Sequence, residues 1–176
     1  MCPKVPGNRS LLLVCELKLC DRVRLVTGPF VPADFHVPVS FMGPGFHLEP
    51  LGPIHNERDH LAWMSSIDHI VATPGLEDWR GKWPVPMSLD ENLDDLVGHM
   101  KEFVERVAFA YSVLDGDDVV GCLYIRPSHA EAHDAEVVSW VRASRPELDR
   151  VVWEAVSSWL ATDWPFMNPH YAARIS

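Results

Sequence analysis

Between residues 108 and 142 three alternating apolar segments follow one another almost without a break. AFAYSVL and VVGCLYI are separated by the turn DGDD, and AEVVSWVR follows after a short polar loop. β-Branched and aromatic residues at period two, punctuated by turn residues, predict strands over 108–114, 119–125 and 135–142, the first two as a hairpin. Three consecutive strands, bracketed by helical patterns on both sides, argue for an α+β (mixed α/β) layer.

The flanks supply those helices. FHLEPL, from residue 46, alternates and ends at Gly52-Pro53, which predicts a strand. HNERDHLAWMSSI carries Leu61, Trp63, Met64 and Ile67 at near-helical spacing, so 56–66 reads as a helix. ATPGLEDWRGKWPVP is a Gly- and Pro-rich loop bearing Trp79 and Trp83. In SLDENLDDLVGHMKEFVERV, Ser88 and Glu91 have capping-box spacing. Leu89, Leu93, Leu96, Met100, Phe103 and Val107 then form an apolar stripe expected to face a core. After the third central strand, Ser144 and Glu147 predict a second capping box with Pro146 in the first turn. A helix through VVWEAVSSWLA ends at Trp164-Pro165, and MNPHYAARI is expected to give a last strand. The expected order from residue 46 is β-α-α-β-β-β-α-β.

Residues 1–44 differ. They contain prolines 3, 6, 29, 32, 38 and 44, whose spacing from 29 to 44 forbids a long helix, and the segment is expected to be an irregular N-terminal arm with one or two edge strands, with the folded domain at 45–176. LLLVC is too short for a membrane span or a secretory core. The four cysteines show neither Cys-x-x-Cys nor zinc-finger spacing, so they are expected to be reduced thiols in a cytoplasm. A net charge of −10 disfavours nucleic acid and anionic membranes as partners and is compatible with an amine-bearing substrate.

Four stretches together carry a resemblance: FHLEPLGPIHNERDHLAWMSSIDHIVATPG, WPVPMSLDENLDDL, YSVLDGDDVVGCLYIRPS and AEVVSWVRASRPELDRVVWEAVSSWLATDWPF. Residues 46–174 resemble the GNAT-type N-acetyltransferases, in particular an actinobacterial acetyltransferase-like group. The resemblance implies a splayed, mostly antiparallel sheet with helices around it. It also implies acetyl-CoA as cosubstrate in a cleft beside strand 135–142. Backbone around Trp140, Val141 and Arg142 is expected to meet the pantetheine arm. The turn and helix start after it, with Arg142, Ser144, Arg145 and Arg150, are expected to meet the pyrophosphate. The family loop Gln/Arg-x-x-Gly-x-Gly/Ala here reads Arg142-Ala143-Ser144-Arg145-Pro146-Glu147, with Arg145 and Glu147 at the glycine positions. The family also usually continues past the strand after this helix, whereas this sequence stops at Ser176.

Amine acetylation requires a deprotonated amine, a polarised thioester carbonyl and a proton for the departing thiolate. Glu136 is the candidate base, acting through a water, and Tyr171 the candidate acid. The plainer alternatives are a solvent-facing strand carboxylate and a packing tyrosine. Trp63, Trp79 and Trp83 are candidate acceptor-pocket residues or, equally, caps on the core. His129, His133, Asp134 and Glu136 cluster without regular ligand spacing, and no metal is expected. His60 or His69 could act as an acid or base near the acceptor. The first expectation is transfer of an acetyl group from CoA to a primary amine of a small molecule or peptide. The alternative is a catalytically inactive GNAT-like binding module. A homodimer whose arms complete each other's sheets is a further expectation.

Overall fold

The computed structural model describes residues 30–76 and 83–174. Six strands form one sheet in sequential order: β1 (Phe41–Gly43), β2 (Phe46–Pro50), β3 (Phe109–Asp115), β4 (Asp118–Pro127), β5 (Ala135–Val141) and β6 (Pro169–Tyr171). Every neighbouring pair is antiparallel except β5 and β6, which run parallel. α1 (Asn56–Met64), α2 (Ile67–Val71) and α3 (Leu89–Glu105) lie between β2 and β3, and α4 (Glu147–Asp163) joins β5 to β6. This is the mixed, mostly antiparallel sheet that the resemblance implies.

The central strands are buried on both faces because period-two alternation sends neighbouring side chains into two different cores. Val137, Val141, Phe109, Tyr111 and Leu123 join Val152, Val156 and Trp159 of α4 on one face. Val138, Trp140, Ala110, Cys122 and Tyr124 join Trp63, Ile70 and Leu96 of α1, α2 and α3 on the other. The two faces hold separate clusters, so the sheet is the wall between the three helices α1–α3 and the single helix α4.

The segment expected to be an irregular arm with one or two edge strands contains β1, a three-residue edge strand closed onto β2 by Pro44-Gly45. Gly45 has φ +77°, the left-handed value that the third residue of a type II turn requires after proline. Three expectations are corrected. The sequence pattern missed α2, a five-residue helix after Ser66. Second, α4 has Pro146 at its N-cap and no side-chain cap, so the Ser144–Glu147 box does not form. Glu147 instead pairs with Arg145. By contrast the Ser88–Glu91 box is present: the Glu91 N–H donates to Ser88 Oγ at 3.2 Å and the Ser88 N–H to Glu91 Oε2 at 2.7 Å.

The third correction concerns which way α3 faces. Its inward row is Asn92, Leu96, His99 and Phe103; Leu89, Leu93 and Met100 stand exposed. The cause is a buried polar network. Trp63 Nε1 donates to Asn92 Oδ1 at 2.8 Å, and Asn92 Nδ2 donates to Asn56 Oδ1 at 2.9 Å and Asp59 Oδ2 at 3.2 Å. Cys122 Sγ donates to the other Asp59 oxygen at 3.2 Å. Leaving these groups unpaired in the core would cost more than burying one more leucine returns, so Asn92 goes inside.

Candidate functional site

The two C-terminal strands are paired over three residues only: Ala135 with Pro169, Glu136 with His170, and Val137 with Tyr171. Beyond that point they part. The Arg142 N–H donates to Val120 O at 2.8 Å, and the two-residue alternation of an antiparallel ladder makes Trp140 and Val138 bond β4 as well. Ser139 and Val141 therefore turn their main-chain groups away from β4, toward the opening. This exposes a short strand edge beside a helix start.

One side chain bridges that opening. Arg174 is 8% exposed. Its Nη2 donates to the Ser139 carbonyl at 2.9 Å and to Ser139 Oγ at 3.3 Å. Nη1 donates to the carbonyls of Pro74 and Ala172, and Nε to Asp149 Oδ2 at 2.8 Å. Tyr171 lies on the same side, its hydroxyl 2.5 Å from Ser139 Oγ. Burial holds the Tyr171 phenol well above its ordinary value, so it keeps its proton at neutral pH.

The strand-to-helix junction is held from two directions. The Ala143 N–H donates to Ser66 Oγ at 2.9 Å, so the α1–α2 corner supports the turn. The Arg145 N–H closes back onto Arg142 O at 2.9 Å. Among the candidate phosphate ligands, Arg145 is bound at 2.7 Å to both Asp115 and Glu147, and Arg150 at 2.7 Å to Glu154. Arg142 differs: its Nε is buried and has no partner among the described residues. An orphaned guanidinium N–H at the start of the turn fits an anionic ligand there. Ser144 is exposed on the same turn.

Glu136 lies where β5 and β6 are still paired, and its Oε1 is 2.9 Å from His170 Nδ1. Trp63 and Trp140 are core residues, both nearly or fully buried. Trp83 joins them, with ring centroids 6.2 Å from Trp63, 6.3 Å from Trp140 and 6.5 Å from Tyr124. Trp79 lies outside the described residues. His60 Nε2 is 2.8 Å from the Met87 carbonyl, tying α1 to the segment before α3. The described residues hold no cluster of three or more metal-ligating side chains. None of their helices is long and apolar enough to cross a membrane.

Sequence reasoning did not find Arg174, Ser66 or Asn92. Ser66 reaches the turn at Ala143, and Arg174 the Ser139 carbonyl, only across long stretches of sequence, and a lone serine or arginine carries no local signal.

No protein-family model and no curated protein matches the chain. Solved structures do. The chain is similar to the ribosomal-protein-S5-alanine acetyltransferase of Vibrio fischeri, at 14% identity and a TM-score of 0.51, over 70% of this chain and 67% of that one. It is similar to RimL, a ribosomal L7/L12 alpha-N-protein acetyltransferase solved with coenzyme A, at 15% identity and a TM-score of 0.52, over 71% of this chain and 67% of that one. It is also similar to the microcin C7 self-immunity acetyltransferase MccE, solved with acetyl-CoA and AMP, at 13% identity and a TM-score of 0.51, over 66% of this chain and 61% of that one. The chain thus spans 61–67% of the length of these structures. With a sheet that parts between β5 and β6 and a helix beginning at the opening, this chain has the fold of the GNAT-type N-acetyltransferases.

Proposed function

We propose that the protein is an acyl-CoA-dependent N-acyltransferase that moves an acetyl group to a primary amine. The observation that carries this reading is the parting of β5 from β6, which leaves the Ser139 and Val141 main-chain groups facing an opening next to the α4 start. Structures of the same fold were solved with coenzyme A and with acetyl-CoA.

The chain's own residues divide the work. Backbone at Ser139 to Val141 supplies strand-like hydrogen bonds to an extended arm, as an added strand would. Arg142 supplies a charge-assisted contact to phosphate, with Ser144 beside it. Arg145 and Arg150 add positive potential that their carboxylate partners largely offset. Trp140 and Trp83 form the apolar floor on the α1–α3 side, with Trp63 and Trp79 as the other acceptor-side aromatics. Glu136, linked to His170, accepts a proton from the amine through a water. Tyr171, still protonated, donates one to the departing sulfur. The bound thioester supplies an activated acyl carbon, and the amine attacks it directly. Net acidity favours the approach of a cationic amine, from a peptide or a small molecule. Residues 45–176 carry this activity, β1 at Phe41–Gly43 completes the edge of their sheet, and the setting is the cytoplasm.

The test is calorimetric titration with acetyl-CoA, followed by thiol release with a panel of peptide and small-molecule amines. Heat at micromolar to millimolar cofactor together with amine-dependent thiol release is expected. Absence of both heat and thermal shift at millimolar acetyl-CoA, in the wild type and in Arg174→Ala, overturns the reading.

A further inference from the structure

The outward row of α3 consists of Leu89, Leu93, Val97, Met100 and Val104. Each is more than a third exposed, and Val104 is 75% exposed. Five apolar side chains at spacings of four, four, three and four make one continuous stripe along the helix. The stripe runs into a cavity of about 450 Å³ lined by Pro50, Leu51, Ile54, Met100, Phe103 and Val104. Nothing among the described residues covers it, and an apolar face of this length on a folded chain marks a contact surface.

Three observations identify what covers it. The first is where the described chain begins. The Phe30 N–H donates to the Arg106 carbonyl at 2.7 Å, and the Arg106 guanidinium donates to the carbonyls of Pro32 and Phe35. The described chain therefore begins beside Arg106, two positions past Val104, at the end of the stripe. The second is reach. Residues 20–29 can extend by roughly 33 Å, at about 3.3 Å each, whereas α3 is roughly 25 Å long. The apolar run LLLVCELKL at 11–19 can thus lie anywhere along the helix. The third is charge. α3 carries six carboxylates (Asp90, Glu91, Asp94, Asp95, Glu102, Glu105) against Lys101 alone. Residues 1–29 carry Lys4, Arg9, Lys18, Arg22 and Arg24 against Glu16 and Asp21. A second copy's α3 would bring carboxylates against carboxylates, while the N-terminal segment brings the opposite sign.

We propose that the apolar run at residues 11–19 of the same chain lies over the Leu89–Val104 face of α3, its flanking basic residues against the helix carboxylates. The arm is then a cover for α3 on the acceptor side of the sheet.

Maleimide alkylation of the full chain, read cysteine by cysteine by peptide mass spectrometry, tests this. Cys15 lies inside the run, Cys2 outside it, and buried Cys122 reports that the fold is intact. Cys15 is expected to react at least about tenfold more slowly than Cys2, and to approach the Cys2 rate in Val97→Asp/Val104→Asp and in about 0.5 M salt. Val97→Ser/Val104→Ser, which adds no charge, is expected to move the rate the same way. Equal Cys15 and Cys2 rates in the wild type, or a Cys15 rate that neither double variant changes, overturns the proposal. Protection that disappears on dilution assigns the face to a second copy and overturns it as well.

Discussion

The guanidinium of Arg174 donates to the main-chain carbonyl of Ser139 at 2.9 Å, across the gap where β5 and β6 part. The strand edge proposed to receive the cofactor arm is therefore already satisfied by the chain's own side chain, and an incoming arm competes with it. A hydrogen bond from a charged donor contributes about 1.5–3 kcal/mol. Arg174→Ala is expected to bind acetyl-CoA at least about tenfold more tightly in a calorimetric titration. The same change removes the partner of Asp149, and unfolding free energy is expected to fall by about 3 kcal/mol, the lower end for a broken buried pair because Asp149 keeps some contact with water. Unchanged or weaker cofactor binding in a folded Arg174→Ala protein contradicts this competition.

Arg142 and Arg145 stand three residues apart on one turn and are expected to differ sharply. Arg145 already faces Asp115 and Glu147 at 2.7 Å, so little of its charge remains for a ligand. Arg142 has a buried Nε with no partner among the described residues. Arg142→Ala is expected to weaken acetyl-CoA binding about tenfold and to flatten its salt dependence. Arg145→Ala is expected to stay within about twofold, because an exposed ion pair contributes little. Dissociation constants at two salt concentrations for both variants decide the matter, and the reverse ranking refutes it.

The strands and α3 were legible because their signals are local. Period-two β-branched residues, the DGDD turn and the Ser88–Glu91 box each act within a few positions. Which face α3 turns inward was not legible. A pattern of leucines predicts burial, but Asn92 has partners on α1 that are visible only once the helices meet. Likewise ASRPE reads as a capping box, yet Arg145 competes for the Glu147 carboxylate with a charge that the motif ignores. An edge strand was expected in the arm, but Phe41–Gly43 is too short and too close to prolines for its position to be read. Arg174 lies in AARI, where nothing local sets it apart; its role exists only because two strands diverge beside it.

Asp59 should leave a signature in stability against pH. Burial holds its carboxyl above the ordinary range, so the native state keeps a proton that the unfolded chain has released. The penalty for ionising it is absent below the unfolded value near 3.8 and complete above the raised native value. Stability is therefore expected to fall as pH rises through that window. Asp59→Asn cannot ionise, and its urea midpoint is expected to lack this fall. Subtracting the variant's midpoints from the wild type's between about pH 4 and 8 isolates the group from the histidines that titrate nearby. Parallel curves would show that Asp59 does not titrate in this window.

Gly121 links the core to the site. It sits on β4 opposite Val141, and a Cβ there would lie 2.1 Å from the Trp140 carbonyl oxygen and 3.1 Å from the Val141 Cα. Both obstacles are backbone, so no side-chain rotation relieves them, and the strand that carries the proposed cofactor edge has to move. Gly121→Ala is expected to cost about 3 kcal/mol in urea unfolding, the upper end for overpacking, and to weaken acetyl-CoA binding in the folded fraction. Gly98 is the matched control. It lies within α3, where an added methyl would meet nothing within 4 Å, so Gly98→Ala is expected to gain about 0.5–1 kcal/mol from helix propensity and leave cofactor binding alone. If both substitutions shift stability equally, the close approach of β4 to Trp140 is not what fixes the position of β5.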